Sequence, residues 1–142
     1  MSVIQDIDQN PGFGAFWGEV NSNIHKALGV IGVLTNGSVR DIDVLSEGFQ
    51  VLAGKLGPAH AYVRIEETGI PVSIFGMELK HNDLLHADQH GAVVIPTDLS
   101  QKLPEAIELM INREKVILDA CKRDDFNYQV LRQAIMESAE IH

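Results

Sequence analysis

The chain has 142 residues, enough for one ordinary domain and too short for two comfortable ones. Its 20 acidic against 11 basic residues leave a formal charge of −9, which argues against a broad phosphate-binding surface and so against direct nucleic-acid binding. A single cysteine, Cys121, excludes an intramolecular disulfide framework and any multi-cysteine zinc site, and suits a reducing compartment.

Met1 is followed by Ser-Val-Ile-Gln-Asp, with no basic stretch and no small-residue cleavage site, so the reading is a cytoplasmic protein. Val3, Ile4 and Ile7 form a short apolar run that ends in Asp8-Gln9-Asn10 and Pro11-Gly12, a strand followed by a loop. Phe16, Trp17, Val20, Ile24, Ala27 and Leu28 fall at helical spacing until Gly29, which predicts a helix with that stripe turned inward. The longest apolar stretch, Leu28 to Leu34, is far below the ~20 residues of a membrane span. Ile31 to Thr35 reads as a strand closed by a turn at Asn36-Gly37, so the opening is one β-α-β unit with parallel strands.

Phe49–Ala53, His60–Glu66, Ile70–Phe75 and Ala92–Ile95 are short strand candidates, too closely spaced for intervening helices, which predicts an antiparallel or mixed middle. Thr97 is a plausible N-cap for a helix from Leu99 to Cys121 that Pro104 interrupts or restarts. A last amphipathic helix covers Asn127 to Ala139, with Val130, Leu131, Ala134, Ile135 and Met136 on its apolar face. The class is α/β, with one β-α-β unit, a β-rich middle and C-terminal helices.

In a β-α-β unit the helix N-terminus and the carboxyl end of the second strand share the sheet edge where open α/β sheets bind ligands. That edge gathers Gly18-Glu19 with Asn36-Gly37-Ser38-Val39-Arg40-Asp41. The free N–H groups of the first helical turn favour an anion, Arg40 offers a planar fork for a carboxylate, and Asp41 offers hard oxygen for a divalent cation. A surface ion pair between Arg40 and Asp41 is the plainer alternative. Gly12-Phe13-Gly14-Ala15-Phe16-Trp17-Gly18 has the context of a dinucleotide fingerprint, but its spacing is one residue too long and Phe16 and Trp17 fill the region of close approach.

His86, Asp88 and His90 would share one face of an extended strand as possible metal ligands, unless His90-Gly91 is a turn and the three make only local hydrogen bonds. Ser38 and Ser46 have no histidine in motif spacing, and Cys121 reads as a core or surface residue.

Three segments together resemble the regulator of ribonuclease activity A family, which includes the 4-hydroxy-4-methyl-2-oxoglutarate aldolases. They are Gly18-Glu19, Lys26-Ala27-Leu28-Gly29-Val30-Ile31-Gly32-Val33, and Asn36-Gly37-Ser38-Val39-Arg40-Asp41. The family signature is an acidic residue, twenty intervening positions, then Arg-Asp, and Glu19 to Arg40 fits it. Gly69-Ile70-Pro71-Val72, Asp83 to Asp88 and His90 to Pro96 resemble the family's second half.

The resemblance implies a single domain over 1–142 with a phosphohistidine-domain-like β/β/α fold, shortened at its N-terminus relative to the family, and assembled as a homotrimer. It implies a metal-dependent lyase that splits 4-hydroxy-4-methyl-2-oxoglutarate into two pyruvates, with oxaloacetate decarboxylation as a side activity. Carried over by position, Arg40 holds the pyruvyl carboxylate and Asp41 binds magnesium or manganese, partly through water. Gly18, Glu19, Val20 and Asn21 contact the keto-acid substrate through backbone N–H groups, with Glu19 positioning a water. Glu19 stands where the aldolases carry Asp, and Lys80-His81-Asn82-Asp83 replaces a Pro-Gly-Asp turn. Glu114 lies in the tail region from which the aldolases draw a glutamate of a neighbouring subunit.

A non-catalytic regulator that docks on a protein, such as an RNA-degrading endonuclease, is the second reading, and the −9 charge suits a basic partner. Apolar residues of the middle strands, Tyr62, Val63, Ile65, Val72, Ile74 and Phe75, independently predict an oligomer.

Overall fold

A computed structural model describes residues 1–142. Backbone contacts divide them into two compact units, Met1–Ile95 and Pro96–His142.

The first unit is built on a three-stranded sheet in the order β1 (Ser2–Ile4), β2 (Gly32–Val39), β3 (Gln50–Leu56), with both pairings parallel. The expected β-α-β opening is present, with α1 (Glu19–Ala27) between β1 and β2. The middle is mixed, as expected: β3 extends the parallel sheet beside β2. Two antiparallel hairpins follow, β4 (Val72–Ile74) with β5 (Met77–Leu79), and β6 (Leu84–Asp88) with β7 (Gly91–Ile95).

β2 is buried on nearly every residue, as a central parallel strand covered on both faces must be. Alternate residues feed two cores. Val33 and Val39 pack with Trp17 and Phe49, while Leu34 packs with Ile74 and Leu79 beneath the hairpins. The register aligns Val33 with Val51 and Leu34 with Leu52, so the neighbouring strand feeds the same two layers.

Other expectations change. α1 starts at Glu19, not Phe16, because Trp17 is taken by the end of β2: it forms a parallel bridge with Val39, and its carbonyl accepts from Arg40 N–H at 3.0 Å. The stripe expected to face inward is exposed, with Val20 at 63%, Ile24 at 49% and Leu28 at 76% of full accessibility. The helix instead seats Ser22, whose hydroxyl donates to Glu19 O at 2.8 Å and accepts from Ser46 N–H at 3.0 Å.

Asn36-Gly37 is no turn. Both residues lie inside β2, where the pairing with β3 shifts between Thr35 and Ser38. Residues His60–Glu66 form no strand: Ala61 turns to φ 49°, Tyr62 stands fully exposed, and no strand pairs with this segment. The β4–β5 hairpin, closed by Phe75 and Gly76 at φ 51° and 83°, has a two-residue turn with positive φ at both positions that propensity alone does not announce.

In the second unit, α2 (Leu103–Cys121) follows a 3-10 turn at Ser100–Lys102, and Pro104 occupies its first turn, where its missing N–H costs nothing. Thr97 makes no side-chain cap, since its carbonyl accepts from Ser100 instead. α3 (Tyr128–Ala139) is capped by Asn127, whose Oδ1 accepts from Gln129 and Val130 N–H at 2.8 and 3.2 Å. Its inner face carries Val130, Leu131, Ala134 and Ser138, whereas Ile135 and Met136 are exposed. Cys121 is exposed at the end of α2. No helix is long and apolar enough to cross a membrane.

Candidate functional site

The carboxyl end of β2 runs directly into Arg40 and Asp41. Asp41 adopts the left-handed conformation, φ 56° and ψ 39°, which aspartate tolerates better than most residues. The resulting bend returns its carboxylate toward α1. Asp41 Oδ2 lies 3.2 Å from Arg40 Nε and accepts a long 3.4 Å bond from Glu19 N–H.

The N-cap residue Gly18 has no side chain to satisfy α1, so Asp41 does this from across the fold. A negative charge at that end also complements the helix dipole. Glycine at 18 is a matter of space, since its backbone is extended at φ −171°. A Cβ there would sit 2.6 Å from Asp41 Oδ2 and 3.0 Å from Arg40 Cγ. The Arg40–Asp41 pair lies flat against the peptide that enters the helix.

Arg40 is largely buried, its side chain 16% exposed against 41% for Asp41. Its Nη1 donates to Ala15 O and its Nε faces Asp41, which leaves the other N–H groups of the fork without a protein partner. Ala15 is itself fully buried and donates its N–H to Ala59 O at 2.8 Å. Ser22 N–H makes the first intrahelical bond, to Gly18 O at 3.0 Å, so the N–H groups of Val20 and Asn21 remain at the open helix end. The Asn21 side chain donates to Phe16 O and shapes the turn rather than the ligand face. Glu19 is exposed at the first helical position.

The structure therefore gathers Gly18, Glu19, Val20, Asn21, Arg40 and Asp41 around one helix end. The Arg40–Asp41 ion pair also exists, but it is anchored by contacts more than twenty residues apart in sequence rather than being a solvated neighbour pair. A half-buried cationic fork, open helical N–H groups and a half-exposed carboxylate together suit a small anionic oxygen ligand.

No three His, Cys, Asp or Glu side chains converge as a metal-binding group anywhere in the chain. His86, Asp88 and His90 form no such group. His90 lies in the β6–β7 turn, where its N–H donates to Asp88 Oδ1 at 2.8 Å, and the imidazoles of His86 and His90 stand 3.7 and 3.4 Å from Asp88 Oδ2. Those bonds, the backbone one first, hold the Asp88 carboxyl below its ordinary range. Asp41, the carboxylate beside Arg40, likewise belongs to no such group. Magnesium accepts one protein carboxylate where water and a chelating substrate complete its oxygen shell, so the donor chemistry at Asp41 fits it.

Reading the sequence missed the Ala15 carbonyl, Ser22, and a pairing between Asp6 and Asn36. The one available signal was the polar Asn36 inside an apolar run.

Residues 2–94 match the RraA-like family, described as Aldolase/RraA. The uncharacterized protein MJ0644 of Methanocaldococcus jannaschii is 31% identical in an alignment of length 125 that covers 81% of this chain and 59% of that protein. Protein DlpA of Legionella pneumophila is 26% identical in an alignment of length 109 that covers 70% of this chain and 17% of its own. This chain thus spans under two thirds of the length of these relatives.

Among solved structures, an uncharacterized protein from Pseudomonas syringae pv. tomato aligns with a TM-score of 0.72 at 22% identity, over 95% of this chain and 63% of that one. Streptomyces coelicolor RraAS2, described as an unusual member of the RNase ES inhibitor RraA protein family, aligns with a TM-score of 0.58 at 23% identity, over 74% of this chain and 55% of its own. These two likenesses concern the fold, a mixed α/β architecture with C-terminal helices. The match over 2–94 settles the family: the chain belongs to the RraA-like proteins.

Proposed function

We propose that this chain carries the keto-acid site of a divalent-metal-dependent aldolase and decarboxylase, cleaving 4-hydroxy-4-methyl-2-oxoglutarate to two pyruvates and decarboxylating oxaloacetate. The observation that carries this reading is the Arg40 fork, half-buried, oriented by Ala15 O and Asp41, and still able to donate beside the open end of α1. Arg40 takes the carboxylate of the pyruvyl half in a bidentate pair. The Val20 and Asn21 N–H groups face the same anionic ligand, and Glu19 holds the water that takes the proton of the tertiary hydroxyl.

Breaking the carbon–carbon bond then leaves one pyruvate with a new ketone and the other as an enolate that takes up a proton. Magnesium or manganese held at Asp41 would supply positive charge for the oxygen of that enolate as it develops. Arg40 supplies the second positive charge from a partly desolvated position.

The fold reading that accompanies this function is the phosphohistidine-domain-like β/β/α type, and the assembly is a homotrimer. Support for assembly comes from α1, whose Val20–Ile24–Leu28 stripe is turned outward next to the site. A stripe at one-turn spacing on an otherwise polar helix is what a subunit contact needs. The exposed free Cys121 accords with a reducing cytoplasm.

A coupled assay of pyruvate release, with magnesium and then with a chelator, tests the function. Metal-dependent release from either substrate supports it, and no release from both rejects it. The exposed stripe together with the −9 charge also favours a second reading, a regulator that docks on a basic protein surface such as that of an RNA-degrading endonuclease. An inactive chain that inhibits such an enzyme would establish that alternative.

A further inference from the structure

We infer that Asp6 and Asn36 are positioning residues for Arg40, acting through the loop that carries Ala15. This rests on the keto-acid reading of the Arg40 site.

β1 ends at Ile4, and two residues beyond it the chain is held to β2 by a side chain instead of the ladder. Asn36 replaces the missing ladder bonds with its side chain: Oδ1 accepts from Asp6 N–H at 2.7 Å, and Nδ2 donates to Asp6 O at 2.9 Å. Asn36 lies in the stretch of β2 where the pairing with β3 shifts. The pair fixes the Asp6 backbone, and the Asp6 carboxylate then gathers the following loop. Its Oδ1 accepts from Asp8 N–H at 3.0 Å and its Oδ2 from Gly12 N–H at 2.6 Å.

Gly12 stands at φ 82°, a conformation that favours glycine, and a Cβ there would fall 3.3 Å from the Gly37 backbone. Two residues on, a Cβ at Gly14 would fall 2.6 Å from Val63 Cγ1 and 2.9 Å from Ala61 Cβ. Ala15 follows, with its N–H on Ala59 O and its carbonyl under Arg40 Nη1.

The segment from Asp6 to Ala15 is thus pinned at its start by Asp6 and Asn36 and at its end by the 59–63 segment. The orientation of the Ala15 carbonyl, and with it the plane of the Arg40 fork, depends on both anchors. Neither Asp6 nor Asn36 touches the helix end where the ligand binds, so they act on the site only through this loop.

The test uses the full chain with Asn36→Ala, and with Asp6→Asn as a second variant of unchanged volume. In the aldolase assay both variants are expected to raise KM for the keto acid on the order of tenfold while kcat stays within about twofold. Partial unfolding would instead lower the active fraction, and so kcat, at unchanged KM. A measurement without any ligand is solvent exchange of the Arg40 Nε–H in nitrogen–proton spectra. It is expected to be slow in the native chain, where Nε faces Asp41, and several-fold faster in both variants. Unchanged Arg40 exchange together with unchanged KM overturns the positioning role. If the native chain neither binds nor cleaves keto acids, the functional reading fails, and the exchange result still decides whether Asp6 and Asn36 orient Arg40.

Discussion

Asp88 and Asp41 are each held by two neighbouring groups, and the two settings differ in every respect that matters for function. Asp88 ends β6 between His86 and His90, both exposed, and its side-chain partners lie within two residues. Asp41 sits between Arg40 and the N–H of Glu19, with the arginine half-buried and pinned to Ala15. The first cluster is what the sequence advertises, three ligand-type residues at alternate positions. The second is what the fold assembles from a strand end, a helix start and a loop. Close spacing in sequence yields local hydrogen bonds on a mobile side-chain scale, whereas a site that must be preorganised draws its supports from distant segments.

The sharpest way to separate the two clusters is to alter the fork itself. Arg40→Lys keeps the charge but loses the planar donors that reach Ala15 O and Asp41 together, so keto-acid turnover, as kcat/KM, should fall on the order of a hundredfold or more. Thermal melting should move little by comparison. A lysine variant with native kinetics would show that a point charge suffices.

Gly18→Ala should come next in size. Its Cβ would press on Asp41 Oδ2 and Arg40 Cγ, and the pair must move to admit it. Activity should drop roughly tenfold, and the far-ultraviolet spectrum should remain native because position 18 is extended and admits alanine by conformation. The paired change His86→Ala and His90→Ala should leave metal-dependent turnover within about twofold. Loss of metal binding in that variant would return the site to the hairpin.

Much of the scaffold was legible in the sequence. The β1–α1–β2 order, the terminal strand at Ala92–Ile95 and both tail helices follow from periodicity and from Gly and Pro punctuation. What misled was the assumption that apolar spacing identifies the inner face. On α1 it identified the outer one, because Ser22 and the ring of His25, 4.6 Å from that of Trp17, satisfy the packed side while Val20, Ile24 and Leu28 face outward. Asn36-Gly37 misled for a related reason. A pair with strong turn preference was retained inside a strand because the asparagine amide could stand in for backbone bonds to Asp6.

At the site, Gly18, Glu19, Arg40 and Asp41 could be nominated from sequence because the β-α-β topology fixes which ends meet, whereas Val20 and Asn21 came only from the family resemblance. The Ala15 carbonyl could not, since a backbone acceptor carries no residue-type signal.

The smallest expected effect concerns exposed carboxylates in both units. Asp88 is held low by His90, Asp119 by Lys115 and then Lys122, and Asp125 by Arg123. A carboxyl whose folded value is depressed adds stability above its ordinary value of 3.8 and loses it as pH falls through the lowered folded value. Acid below that ordinary value should therefore lower the melting temperature slightly, and Asp125→Asn should remove part of the slope. Because these groups are fully exposed, added salt should blunt the same effect.

The measurement that bears most directly on the Arg40–Asp41 site is pyruvate release from 4-hydroxy-4-methyl-2-oxoglutarate followed through a magnesium titration, for the native chain and for Asp41→Ala. Asp41→Ala also removes the cap of α1, worth about 1 kcal/mol, so a melting curve of the variant accompanies the assay to establish that it is folded at the assay temperature. The native chain should show saturable activation by magnesium, and the folded variant should show none at any concentration. Equal magnesium activation in the two proteins would contradict the assignment of the metal, and with it the keto-acid site, to the end of β2.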